Sequence, residues 1–151
     1  MSQSLSRILV HIIFSTKDRF PLLADAGLRK QMHAYLAGAF NELHSPAIEA
    51  GGVEDHVHIL CLLSRNYSVS EIIKKAKANS SSWAKAQGLG CPKFSWQSGY
   101  GAFSIDQSQV ESVKKYIQSQ AEHHRKRTFQ EEYLDMLRVY KVEYDERYIW
   151  T

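Results

Sequence analysis

Two histidines one residue apart, His56 and His58, stand at the start of an apolar run, HVHILCLL, directly after Glu54-Asp55. Side chains alternate along a strand, so both imidazoles face the same way and can share one cation, while Val57 and Ile59 face the opposite side. Imidazole is a ligand for divalent ions and, mixed with oxygen donors, can hold Mg²⁺ or Mn²⁺. The alternative is a pair of half-buried histidines hydrogen-bonded to backbone. Further along, VESVKKYIQSQ places Tyr116 and Gln120 one helical turn apart. Such a pair can present a nucleophilic oxygen and a carbonyl ligand to one metal-bound phosphate. Lys114 and Lys115 beside the tyrosine would favour an anion and help a phenolate form, since a free phenol titrates near pH 10. The alternative is a boundary tyrosine packing its ring.

Aromatic and basic residues are interleaved. Trp83, Phe94, Trp96, Tyr100 and Phe103 alternate with Lys74, Lys75, Lys77 and Lys93, and His123–Arg127 is a basic run. Single-stranded nucleic acid is bound by such combinations of cationic groove and stacking platform. For any one of these residues, a core stripe plus a solvated cationic face is the simpler reading. The cations expected to meet DNA are Lys17, Arg19, Lys74, Lys75, Lys126 and Arg127. The chain contains no P-loop, nucleophile elbow or CxxC motif.

The elements that must position these groups follow from periodicity. LSRILVHIIFS (5–15) reads as a central strand, ended by Lys17-Asp18-Arg19 and Pro21. Leu28, Met32, Tyr35, Leu36, Ala39 and Phe40 recur at helical spacing, predicting a helix from Ala24 to Leu43. AIEAGGV and HVHILCLL predict a tight hairpin across Glu54-Asp55. A second helix spans Val69–Gln87, capped by Ser68 and stopped by Gly88. FSWQSGYGAFSI (94–105) reads as a strand kinked at Gly99–Gly101. A helix follows from Ser108 to about Arg125, with Val110, Val113 and Ile117 as its buried stripe, and a last one from Phe129 to Tyr140. The order β-α-β-β-α-β-α-α predicts an α+β, ferredoxin-like (RRM-like) antiparallel sheet. Its helices pack on one face, the other face stays more open, and an additional C-terminal helix carries the tyrosine.

The 151 residues, 44% of them hydrophobic, amount to one domain, 1–151, with a real core. A net charge of +3 permits a nucleic-acid partner without requiring one. No 18-residue apolar run spans a membrane. The N-terminus lacks a basic n-region and a small-residue cleavage site, and the two cysteines, Cys61 and Cys91, imply no disulfide framework. The expected location is cytoplasmic.

Together, EDHVHIL, WQSGYGAFSI and VKKYIQSQAEHH, in this order, resemble the single-tyrosine HUH transposases of small insertion sequences, REP-associated relatives included. VHIIFSTKDRFPLL and EYDERYIW extend the resemblance over essentially the whole chain. It implies a transposase: a metal-dependent endonuclease and strand transferase for single-stranded DNA with hairpin ends, working through a 5′-phosphotyrosine. His56, His58 and Gln120 match the family's metal ligands and Tyr116 its nucleophile, with Mg²⁺ or Mn²⁺ as cofactor. It further implies a homodimer with composite sites, the histidines from one subunit and the tyrosine from the other. Two other readings of the same residues are a catalytically inactive single-strand-binding module and a metal-dependent phosphodiesterase that uses water.

Overall fold

Four antiparallel strands form the sheet: β1 (Leu9–Ser15), β2 (Ala47–Gly52), β3 (His56–Leu62) and β4 (Gly101–Ile105), in the order β2-β3-β1-β4. The structure is a computed structural model and describes residues 2–87 and 93–151. The helix stop expected at Gly88 and the thiol of Cys91 lie outside the described residues. Among the described residues no helix is long and apolar enough to cross a membrane.

One side of the sheet is packed as expected. Val10, Ile12 and Phe14 of β1 and Val57, Ile59 and Cys61 of β3 point toward α1 (Ala26–Glu42) and α2 (Val69–Ala86). There they meet Leu28, Met32, Leu36, Phe40, Ile72 and Ile73. Burial of such side chains contributes about 1.5–3 kcal/mol each. Asp25 caps α1, and Ser68 with Glu71 closes a reciprocal cap on α2. Cys61 is a free, buried thiol.

The other side is less open than the sequence pattern implies. Three helices lie over it: α3 (Val110–Gln118), α4 (Gln120–His123) and α5 (Phe129–Val139). Under α3, Val110 and Ile117 pack on Leu9, Leu60 and Ile105. Under α5, Phe129, Tyr133 and Leu137 pack on Ile13 and Phe103. Helix α3 can approach closely because β2 carries Gly51 at the contact. A Cβ there would lie 2.9 Å from both the Cγ2 and the carbonyl oxygen of Ile117.

Three boundaries differ from the sequence expectation. The hairpin joining β2 to β3 has three connecting residues, Val53–Asp55, because Gly52 turns at φ +152°, where a Cβ would strike the His56 carbonyl. The strand expected over 94–105 begins only at Gly101. Ahead of it, among the described residues, only a single bridge, Trp96 to Thr16, joins the sheet, and Lys77 Nζ ties the carbonyls of Gln97 and Gly99 to α2 at 2.9 and 2.6 Å. The helix expected to run through Arg125 breaks at Ser119, whose hydroxyl donates to the Lys115 carbonyl at 2.8 Å.

His33 on α1 offers a pH test of this packing. Among the described residues its buried Nε2 has no hydrogen-bond partner. Burial, with Arg29 nearby, lowers its pKa from 6.5 to about 4. Between pH 6.5 and 4 the unfolded chain therefore binds a proton that the folded chain refuses, and stability falls as the solution is acidified. The contribution reaches about 1.4 kcal/mol per pH unit at most. Urea unfolding of His33→Gln is expected to show a shallower loss between pH 6.5 and 4 than the native sequence. Parallel pH curves for the two proteins would remove His33 as the cause.

Candidate active site

The two histidines of β3 do face one way, but into a closed site. His56 and His58 are fully buried under α3–α5, and a carboxylate, Glu132 of α5, lies against both. Glu132 occupies a stripe position on α5, between Phe129 and Tyr133, and is itself 1% exposed. Its Oε1 lies 3.3 Å from His56 Nε2, 3.1 Å from His58 Nε2 and 3.2 Å from His124 Nε2. Its Oε2 accepts hydrogen bonds from the Tyr116 hydroxyl and, at 3.1 Å, from Gln120 Nε2. The Gln120 carbonyl oxygen turns back to His56 Nε2 at 3.0 Å. Tyr116 and Gln120 thus converge although Ser119 separates their helices. The Tyr116 ring centroid is 5.7 Å from that of His58 and 4.7 Å from that of His123.

Behind the site, each histidine's remaining nitrogen is engaged. His56 Nδ1 pairs with Asp55 Oδ1 at 2.7 Å, and His58 Nδ1 with His11 Nε2 at 2.8 Å. His11 comes from β1, on the same sheet face. Such partners fix the ring orientation of metal-binding histidines. For His11, burial and then His58 lower the pKa to about 3, so the ring is neutral at pH 7 and can donate to His58 or accept from it. Burial also lowers the pKa of His58, against the pull of Glu132. For His56, burial alone would lower the pKa, but its hydrogen bonds to Asp55 and Glu132 outweigh that and raise it to about 9. Glu132 is driven well below the ordinary carboxylate range: burial opposes ionisation, and hydrogen bonds from His124, His56 and His58 overcome it.

Tyr116 behaves differently from the sequence expectation. Burial, then the Glu132 charge, raises its pKa above the usual phenol value. Lys115 is exposed and Lys114 faces Glu111 at 4.0 Å, so neither supplies the expected activating charge at the hydroxyl.

The donor set fits a divalent cation. His56, His58 and Glu132 offer ligand atoms that all lie within 4.8 Å of one another, and Gln120 adds an amide oxygen. Sequence reasoning placed His56, His58, Gln120 and Tyr116, and all four meet here within one chain. In the single chain, α3 brings Tyr116 to the histidines of its own β3. Glu132, His11 and His124 were not foreseen. The readable signal for Glu132 is a carboxylate on the apolar stripe of an amphipathic helix, where a charge needs a partner.

The expected DNA-contacting cations divide into two groups. Arg19 and Arg127 line a groove of about 470 Å³ together with Asp55 and His124, beside the histidines. Exposed Lys17 and Lys126 adjoin them in sequence, and Arg127 pairs with Asp135 at 2.5 Å. Lys74 and Lys75 belong to α2, on the opposite face of the sheet. Phe94, Trp96 and Phe103 are buried in the packing and provide no platform, whereas Tyr100 is exposed.

Comparison with known proteins adds an independent line. The family described as transposase IS200-like matches residues 4–120. No curated protein matches. A crystal structure of a candidate transposase from Deinococcus radiodurans R1 superposes with a TM-score of 0.57 at 18% identity, covering 80% of this chain and 98% of that one. A REP-associated tyrosine transposase bound to a REP hairpin superposes with a TM-score of 0.58 at 12% identity, covering 82% and 74%.

Proposed function

Because this chain belongs to the family of IS200-like transposases, we propose that it cuts and rejoins single-stranded DNA through Tyr116, at a metal centre on His56 and His58. The observation that carries this reading is the Tyr116 hydroxyl donating to the same carboxylate that lies against both histidines. His56, His58 and Gln120 would hold a divalent ion, Mg²⁺ or Mn²⁺, which would supply Lewis-acid charge at the scissile phosphate. Tyr116 attacks that phosphorus in line, and its proton leaves along the hydrogen bond to Glu132. The bond to the 3′ oxygen breaks, and that oxygen takes up the proton the phenol gave away, leaving a free 3′-OH and a 5′-phosphotyrosine. The covalent link keeps the phosphodiester energy. A second 3′-OH can therefore displace Tyr116 without ATP, in keeping with the missing P-loop. Asp55 and His11 hold the imidazoles in register throughout.

The DNA is proposed to be single-stranded with hairpin ends, as the solved relative bound to a REP hairpin supports. Its phosphates would run along the groove between Arg19 and Arg127, flanked by Lys17 and Lys126. Lys74 and Lys75, across the sheet, would serve only a strand that wraps the domain.

The deciding test is a denaturing gel of the protein incubated with a labelled hairpin oligonucleotide carrying candidate ends, with and without Mn²⁺. A metal-dependent protein–DNA adduct is expected. Cleavage without adduct would assign a water-using phosphodiesterase, and binding without cleavage an inactive binding module.

Completion of the site within one chain also predicts a mixing result. Tyr116→Phe and His56→Ala chains, combined after subunit exchange, are expected to remain inactive, since every site lacks one group. Rescue to about a quarter of native activity is what random pairing into dimers with exchanged tyrosines would give, and that outcome would replace the single-chain arrangement.

A further inference from the structure

We infer that Glu132 is a direct ligand of the metal ion, so that α5 builds the centre together with β3 and Gln120. The inference rests on the reading of His56 and His58 as metal ligands and adds the residue that makes their site anionic. Spacing is the first ground. Two ligands each about 2.1 Å from a shared ion, at roughly 90–110°, stand about 3.0–3.4 Å apart. Glu132 Oε1 is 3.3 Å from His56 Nε2 and 3.1 Å from His58 Nε2. Charge is the second. His56, His58 and Gln120 are neutral as ligands, and a dication among them alone would be buried without compensation, which is costly. Glu132 supplies one negative charge at that place. Among the described residues its ion-pair partners are His56, His58 and His124, with no lysine or arginine. Availability of lone pairs is the third. Asp55 and His11 engage the Nδ1 atoms, so both Nε2 atoms can turn their lone pairs to an ion.

The carboxylate would then divide its work. Oε1 faces the imidazoles, and Oε2 holds the Tyr116 hydroxyl and the Gln120 amide. The nucleophile is thereby tied to the ion through one side chain. A purely structural alternative is a carboxylate that only pairs with protonated histidines. On that alternative neutralising Glu132 frees the imidazoles, and metal binding stays the same or tightens.

Mn²⁺ titration followed by electron paramagnetic resonance separates the two, with thermal melting as the check on folding. Loss of an outer partner of a ligand costs about 10–100-fold in metal affinity, so loss of a direct ligand in Glu132→Gln is expected to cost about 100-fold or more. Unchanged or tighter binding by a folded Glu132→Gln protein overturns the inference. A second measurement avoids any dependence on the variant's folding. Native protein carrying ¹³C-carboxylate glutamate is expected to show a Mn–¹³C coupling of a directly bound carboxylate in electron–nuclear double resonance, and its absence overturns the inference equally. His58→Ala serves as the reference. If it weakens Mn²⁺ binding while Glu132→Gln does not, only the role of Glu132 fails. If the native protein and His58→Ala bind Mn²⁺ alike, the histidine site and the inference fall together.

Discussion

Tyr116→Phe is expected to abolish DNA cleavage and the covalent adduct, a loss of at least about 10⁴-fold, as removal of a nucleophile commonly produces. Only one oxygen is removed. The ring keeps its contacts with His58 and His123, and Glu132 Oε2 keeps its bond from Gln120. The cost in stability should therefore be about 1.5–3 kcal/mol, the worth of one hydrogen bond to a charged group. Hairpin affinity, read by fluorescence anisotropy without metal, should stay at the native value. That separation of binding from chemistry identifies a nucleophile rather than a packing residue. An adduct formed by the phenylalanine variant would transfer the role to another tyrosine. Tyr100, exposed just ahead of β4, is one such tyrosine, but it lines a different cavity, with Lys74 and Lys77.

Loss of a histidine should act on two measurements at once. His58→Ala removes a proposed metal ligand, and Lewis-acid stabilisation worth several kcal/mol corresponds to about 10²–10⁴-fold in rate. Mn²⁺-dependent cleavage should fall by that factor. Because His58 is fully buried and joins His11 to Glu132, its removal strands the His11 Nε2 and takes one partner from Glu132, which keeps His56, His124, Tyr116 and Gln120. A buried polar group left unpaired costs about 1–3 kcal/mol, and a chain of this size loses about 2–4 °C in Tm per kcal/mol. An open sheet face would have spared the fold, whereas the cover of α3 and α5 makes the site part of the core. Calorimetric Mn²⁺ titration and a melting curve check both effects. Native metal affinity in both His58→Ala and His56→Ala would remove these residues from the metal site.

The parts legible in the sequence were those encoded locally. Val57 and Ile59 alternate with His56 and His58, so the face of each side chain followed from the period of a strand. Ser68 before Val69, with Glu71 three residues on, marked the start of α2. Val110, Val113 and Ile117 marked the face by which α3 sits on the sheet. Tyr116 and Gln120 were paired by their spacing, yet the chain bends at Ser119 between them, where a hydroxyl competes for the Lys115 carbonyl. Glu132 escaped because its partners are set by tertiary packing and not by period. The charge on an apolar stripe was visible, but the residues that neutralise it lie on β3 and just past the end of α4. His11 sits inside the apolar run of β1 with no periodic signal of a role, and only the β1–β3 register brings it beside His58.

The centre closes across long stretches of chain. Gln120 meets a histidine 64 residues before it, and Glu132 one 74 residues before it. Contacts so distant in sequence carry a loop-closure cost and form only after their remote halves exist. A nascent chain that has emerged through α2 therefore already holds both histidines but neither the tyrosine nor the carboxylate. On the proposed function, the chain would stay unable to cut DNA during synthesis until α5 has docked on the sheet.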